Sequence, residues 1–336
     1  MKKILIVGGA GFIGHNLAIN LKKNGNDVLV VDSLEVNNLA SIESNVDNIP
    51  YPILSKKIIH ERLDLLKKNN IDLKIQDARD YDEISKIVNT YKPDVLVHLA
   101  AVSHSNRSNK NPYSTFDHSL RTLENTLDSV KDNVGHFIFF SSSMVYGNFK
   151  KDEVTEDLEC NPIGIYGTLK YAAEKIIIAY NQVFKTPYTI VRPSALYGER
   201  CVSRRVGQIF IENVLNKKDI IISGNGNDKL DFTYIDDLIS GVNKIINNSN
   251  SINQIFNITY GNSRRIIDLV EILKKFYPNI KVNFEKQDKL TPKRGTLSIK
   301  KAKKLLNYQP SWSIDEGYVK YIKWYQNFYK NVWKKN

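Results

Sequence analysis

The apolar run Lys3–Val7 ends at Gly8-Gly9-Ala10-Gly11-Phe12-Ile13-Gly14, and this string restricts the fold more tightly than anything else in the chain. Gly8, Gly11 and Gly14 are spaced three apart, after a candidate strand and at the head of a candidate helix over 13–23. Each glycine answers a physical need: a tight turn, close approach of a phosphate to the backbone, and close packing of helix on strand. The unpaired amides that open the helix, around Phe12 and Ile13, together with its positive dipole end, suit the diphosphate of a dinucleotide. Asp32 closes the second candidate strand, where the adenosine ribose of such a ligand is expected. A carboxylate there accepts from both ribose hydroxyls and repels a 2′-phosphate. No arginine follows it closely, so NAD is expected rather than NADP.

The rest of the chain alternates in the same way. Candidate strands lie at 3–7, 27–31, 73–76, 95–98, 136–140, 188–191 and 255–258, with helical patterns at 81–91, 114–130 and 167–184 among those between them. β-branched strands alternating with amphipathic helices predict an α/β fold: a doubly wound parallel sheet of Rossmann type, joined by right-handed crossovers. Asp77-Ala78 follows the third strand and is expected beside the adenine. His98-Leu99-Ala100-Ala101 ends the fourth, where small residues let a cofactor lie against the backbone. The segment 33–72 is longer than a plain crossover requires, and its role is open. Beyond Tyr197 the helical patterns at 207–215 and 266–276 are separated by polar loops, and 312–329 reads as a terminal helix packed on the core.

With 336 residues the chain has ample length for a core, and 42% hydrophobic with 25% charged residues is an ordinary globular balance. No stretch of about 20 apolar residues is present, so no membrane span is expected. The two cysteines, Cys160 and Cys201, have no metal-ligand spacing and suit a reducing cytoplasm; no metal is expected. The net charge of +12 is spread along the chain, without an aromatic-basic platform, so nucleic acid is not an expected partner.

Tyr166-Gly167-Thr168-Leu169-Lys170 places a phenol and an ammonium on one helical face. The cation favours the phenolate, and such a tyrosine can take a hydroxyl proton as hydride leaves the same carbon. Ser141-Ser142-Ser143-Met144-Val145-Tyr146-Gly147 directly follows the fifth strand, so its hydroxyls point into the crevice at the carboxyl ends of the sheet.

Taken in order, these motifs, with Arg192-Pro193-Ser194-Ala195-Leu196-Tyr197-Gly198 and Asp231-Phe232-Thr233-Tyr234-Ile235-Asp236-Asp237, resemble the NAD-dependent sugar epimerase/dehydratase family of extended short-chain dehydrogenases/reductases, from Met1 to about Tyr325. The resemblance implies a Rossmann domain and a smaller C-terminal substrate-binding α/β domain, tightly held NAD, and oxidation of a nucleotide-diphosphate sugar at carbon 4. It gives residues 1–190, plus a strand and helix around 232–260, to the NAD-binding domain, and 191–231 with 261–336 to the nucleotide-sugar domain. Tyr166 would be the base, Lys170 its tuner and Ser142 the hydroxyl partner. Pro193, with Tyr166 and Lys170, would join Gly8, Gly11, Phe12, Ile13, Gly14, Asp32, Asp77, Ala78, Leu99, Ala100 and Ala101 around the cofactor. Ser103, Ser142, Ser143, Arg204, Arg205 and Arg294 would face the substrate. A homodimer or higher homo-oligomer through helices near 114–130 and 167–184 is also implied, as is a setting in polysaccharide synthesis.

Departures from the family pattern narrow the chemistry. The 4,6-dehydratases resemble a pattern of Asp-Glu or Ser-Glu where this chain has Ser143-Met144, and a thioether is neither acid nor base. Elimination of water is therefore disfavoured. A 4-epimerase and a 4-dehydrogenase that releases a keto sugar and NADH both remain open, with a non-catalytic NAD-binding regulator as the remote alternative. Ala195 and Leu230 replace polar phosphate contacts of the family, and Arg204-Arg205, Lys229 or Arg294 could compensate. The base and the sugar are left open.

Overall fold

The computed structural model describes residues 1–36, 38–43, 49–102, 105–287 and 290–333. Seven strands form one fully parallel sheet: β1 (Lys3–Val7), β2 (Asp27–Asp32), β3 (Asp72–Ile75), β4 (Val95–His98), β5 (His136–Phe140), β6 (Tyr188–Arg192) and β7 (Gln254–Asn257). Their spatial order is β7-β6-β5-β4-β1-β2-β3. The order reverses at β1, whose Val7 pairs with Val31 on one side and His98 on the other. Ligands of such sheets bind outside the carboxyl ends at this switch point. The central strands are buried on both faces, which is why they read as continuous apolar runs rather than alternating ones.

Helices cover both faces: α1 (Phe12–Lys23), α2 (Pro52–Lys68), α3 (Tyr81–Tyr91), α4 (Thr122–Val130), α5 (Gly164–Phe184), α6 (Val206–Leu215), α7 (Ile235–Ile246), α8 (Ile266–Lys274) and α9 (Ile314–Phe328). The expected helix over 114–130 is present and starts at Pro112; a π-helical turn, Asp117–Arg121, lies within it between Pro112–Phe116 and α4, with helical backbone at both junctions. The segment 33–72 holds α2, whose buried stripe Leu54, Ile58, Arg62, Leu66 packs toward the core at helical spacing.

The remaining strands are short parallel or antiparallel pairs. One joins Leu196–Tyr197 to Thr233–Tyr234, and another joins Glu153–Val154 to Thr296–Leu297. Two aspartates anchor these pieces. Asp231 is buried and accepts from the amides of Gly261 (3.1 Å) and Leu297 (3.0 Å) and from the Thr259 hydroxyl (3.1 Å); burial lifts its pKa to about 6. Asp237 accepts from the amides of Ser311 (2.7 Å) and Trp312 (3.0 Å). Helix α9 inserts Tyr318, Tyr321 and Tyr325, all fully buried, with Tyr318 and Tyr321 against the Tyr197 ring. The Tyr318 hydroxyl donates to the Gly207 carbonyl and that of Tyr325 to Glu212, both at 2.8 Å. Among the described residues no helix is long and apolar enough to cross a membrane.

Candidate active site

The glycine turn is packed too tightly for side chains. Gly8 has φ +82°, and a Cβ on it would lie 2.6 Å from the Ala100 nitrogen; one on Gly14 would lie 2.4 Å from the Gly9 Cα. Gly11 caps α1 without a side-chain hydrogen bond, so the first amides of the helix have no capping group. Asp32 accepts from the Ala10 amide (2.9 Å) and the Leu34 amide (2.8 Å), one on each oxygen. Burial raises its pKa, against those two hydrogen bonds. Each carboxylate oxygen keeps a further lone pair for a ligand.

An open cleft of about 960 Å³ runs over this turn. Gly8, Gly11, Phe12, Ile13, Gly14, Asp32, Asp77, Ala78, Leu99, Ala100 and Ala101 all line it. The bare backbone at Gly8 and Ala100, the uncapped helix amides and the terminal carboxylate fit a dinucleotide. Asp77 is less open than the sequence suggests, since the Arg79 guanidinium clamps it (Nε to Oδ2 2.9 Å) and holds it below its ordinary pKa despite burial. Two titratable lining residues escaped the sequence reading: Arg62, from the segment of unassigned role, and His118, which contacts Glu35 at 3.1 Å.

A second cavity, of about 1130 Å³, adjoins the first and shares Ile13, Leu99, Ala101, Leu196 and Arg205 as walls. It brings together Ser142, Ser143, Met144, Tyr166, Lys170, Pro193, Arg205 and Arg294. Arg204 lies on neither wall. Its backbone is left-handed (φ +50°), and its amide donates to Gln208 Oε1 at 2.9 Å. Lys229 is exposed and also lines neither cavity. Ser103 lies outside the described residues.

The serine loop and α5 are fitted to each other. Ser142 is extended, and its hydroxyl accepts from the Met144 amide at 3.2 Å, capping the 3₁₀ turn Ser143–Tyr146. Ser143 donates to the Ser194 hydroxyl at 3.3 Å. A Cβ on Gly167 would sit 2.8 Å from the Met144 carbonyl, so the helix rests directly on the loop, with Tyr166 in its first turn.

Lys170 is buried, donates to the Phe140 carbonyl at 2.7 Å and lies 4.8 Å from the Phe139 ring centroid. Burial brings its pKa down to about 8, and Glu174, one turn further along, opposes this. Glu174 itself accepts from the Ser141 hydroxyl (2.5 Å) and from Arg192 (Nε 3.0 Å, Nη2 2.6 Å). On the opposite wall Arg294 is lowered to about 10 by burial and by Arg205, and its Nε has no hydrogen-bond partner among the described residues.

The Lys170 shift has a pH consequence. Its folded pKa lies below that of a free lysine, so the ammonium is complete below about pH 8 and lost above it. Activity that needs this cation is expected to fall as pH rises through about 8, with Lys170→Arg losing that alkaline limb. The stability effect has the opposite sign: burying the charge opposes folding below about pH 8, and the penalty fades toward pH 10.5. A pH–rate profile still flat to pH 10 would contradict the assignment.

A family model for the NAD dependent epimerase/dehydratase family matches residues 4–259. The chain belongs to that family. Similar members include the putative UDP-glucose 4-epimerase of Methanocaldococcus jannaschii, 30% identical with 96% of this chain and 98% of that one covered. The UDP-glucuronate 4-epimerase of Thermodesulfobacterium geofontis is 31% identical, with 95% of each covered. Among solved members, the UDP-glucuronic acid 4-epimerase of Bacillus cereus, in complex with UDP-glucuronic acid and NAD, superposes with a TM-score of 0.86 at 27% identity, covering 97% of this chain and all of that one. The family's parallel sheet and reliance on NAD agree with the cleft described above.

Proposed function

We propose that this chain is an NAD-dependent 4-epimerase of a nucleotide-diphosphate sugar, with Ser142, Tyr166 and Lys170 as the catalytic residues. One observation carries the choice within the family: no carboxylate lines the second cavity among the described residues, while a tyrosine, a buried lysine and four serines do. Expelling water needs an acid and a base at neighbouring carbons. Moving one proton at a carbinol oxygen needs only a phenol, a cation and a hydroxyl.

In this reading the Tyr166 phenolate takes the proton of the sugar's 4-hydroxyl and later returns it. The Lys170 ammonium stabilises that phenolate through space. The Ser142 hydroxyl donates to the reacting oxygen and fixes its direction. NAD, when bound, supplies the hydride acceptor and then the donor. Gly8, Gly11–Gly14, Asp32, Ala78, Leu99–Ala101 and Pro193 would hold that cofactor. Arg205 and Arg294 would take the substrate diphosphate, since guanidinium forks match phosphate oxygens bidentately. Arg294 offers a buried Nε with no other partner among the described residues, which supports the assignment.

The same proposal gives residues 1–190 with 232–260 to cofactor binding and the remainder to the sugar nucleotide. It also includes a homodimer, because Tyr113, Phe116, Val183 and Phe184 are exposed apolar groups on the two helical regions concerned. It places the protein in the cytoplasm, where its free thiols, Cys160 and Cys201, would persist.

The test is to incubate the protein and NAD with UDP-, GDP- and dTDP-sugars and weigh the products. An unchanged mass with a new chromatographic peak is the expected outcome. Loss of one water indicates a dehydratase and refutes the reading of the acid-free wall. Loss of two hydrogens with NADH accumulating indicates release of the keto sugar.

A further inference from the structure

Arg62 stands in the stripe of α2 that otherwise buries Leu54, Ile58 and Leu66, and it is only 1% exposed. Its Nε donates to the Arg200 carbonyl at 2.8 Å, and its Nη2 donates to the same oxygen. Among the described residues no carboxylate is within ion-pair distance of it. Asp32, whose charge acts on it from a distance, is engaged with the Ala10 and Leu34 amides. A buried guanidinium balanced by no acid is costly, so its counter-charge is to be sought outside the chain.

The surroundings say where. Arg62 lines the dinucleotide cleft together with Gly11, Phe12 and Asp32. A second cation stands behind it. Arg200 donates to His15 Nε2 at 3.2 Å and to Glu61 Oε1 at 3.3 Å. With Nε2 accepting, the other ring nitrogen of His15 carries the proton and donates to the Gly11 carbonyl at 2.9 Å. Burial and the two arginines keep His15 well below its ordinary pKa, and so neutral. Gly11, His15, Arg200 and Arg62 are thus joined in a chain of contacts beside the turn, in which Glu61 pairs Arg200 and Arg62 forms no ion pair among the described residues. The same 198–205 segment continues to Ser203 and Arg205, which line the cleft as well.

We infer that Arg62 is an anion-binding residue of this cleft: it takes the diphosphate of the dinucleotide and, through the Arg200 carbonyl, ties the 198–205 segment to the occupied cofactor site. This rests on the reading of the cleft as an NAD site. The excursion at 33–72 then serves to carry a cation on α2 to the cleft beside the glycine turn. Cofactor occupancy is thereby linked to the placement of Arg205, on the wall shared with the substrate cavity.

The test is calorimetric titration of the full-length protein, freed of nucleotide, with NAD, ADP and adenosine. Arg62→Gln keeps a donor for the Arg200 carbonyl and removes the charge. It is expected to weaken NAD and ADP by about tenfold or more and adenosine by less than about twofold. Unchanged ADP affinity, or an equal loss for adenosine, overturns the inference. Should the glutamine variant fail to fold, Arg62→Lys decides: ADP affinity within about threefold of wild type supports a role for charge, and a tenfold loss shared with adenosine overturns it. A wild-type protein that binds neither NAD nor ADP would overturn the cofactor reading as well, which separates that failure from this one.

Discussion

Tyr166→Phe is expected to lower kcat by about 10²- to 10⁴-fold. Removing one oxygen leaves the ring packed under the serine loop, so the fold and the cofactor cleft persist, while the group that takes the 4-hydroxyl proton is gone. NAD retained by the purified variant, measured after denaturation, should match wild type. KM should change little, because the phenol acts on a proton in flight rather than holding the nucleotide. Turnover within a factor of about three of wild type would reject Tyr166 as the base, since general-base groups supply far more than that.

Arg192→Leu is expected to cost about 3–5 kcal/mol of stability. The Arg192 and Glu174 side chains are 3% and 1% exposed and share two charge-assisted hydrogen bonds. Deleting the arginine leaves the glutamate charge in a site that water does not reach. The guanidinium also lies 4.8 Å from the Tyr146 ring centroid, and leucine cannot replace that cation–π attraction. Urea unfolding followed by circular dichroism measures the loss. The double variant Glu174→Gln/Arg192→Leu should recover a substantial part, since the glutamate charge that the single variant leaves unpaired is then gone. A single-variant loss below about 1 kcal/mol would mean that the pair behaves like an exposed ion pair.

The sheet was legible because its signals are local. The glycine string, the apolar strand runs and Asp32 each follow from chemistry within a few residues, and β1, β4 and β5 fall where the pattern predicts. The Tyr166–Lys170 pair and the serine loop were legible for the same reason. What pairs across the chain was not. Glu174 and Arg192 are 18 residues apart, and nothing local says that they meet. Arg204 and Arg205 look equivalent in sequence; a left-handed backbone at the first puts only the second on the cavity wall. Arg62 did leave a trace, a charge at the fourth-residue interval of an apolar stripe, but its meaning depends on the Arg200 loop far downstream. The π-helical turn at Asp117–Arg121 has no signal of its own in the sequence, because a helical pattern does not distinguish i→i+4 from i→i+5 bonding over so short a stretch.

Helix α9 carries a consequence for how the molecule comes into being. Its tyrosines close the core around Tyr197 and hydrogen-bond back to α6 at Gly207 and Glu212. Those partners emerge from the ribosome about a hundred residues earlier. Until Tyr318 and Tyr325 follow, the aromatic face of this half has nothing to rest on, so it cannot finish folding before they are made. A nonsense codon upstream of Tyr318 therefore leaves a sticky intermediate for chaperones and proteases, and not a smaller working enzyme.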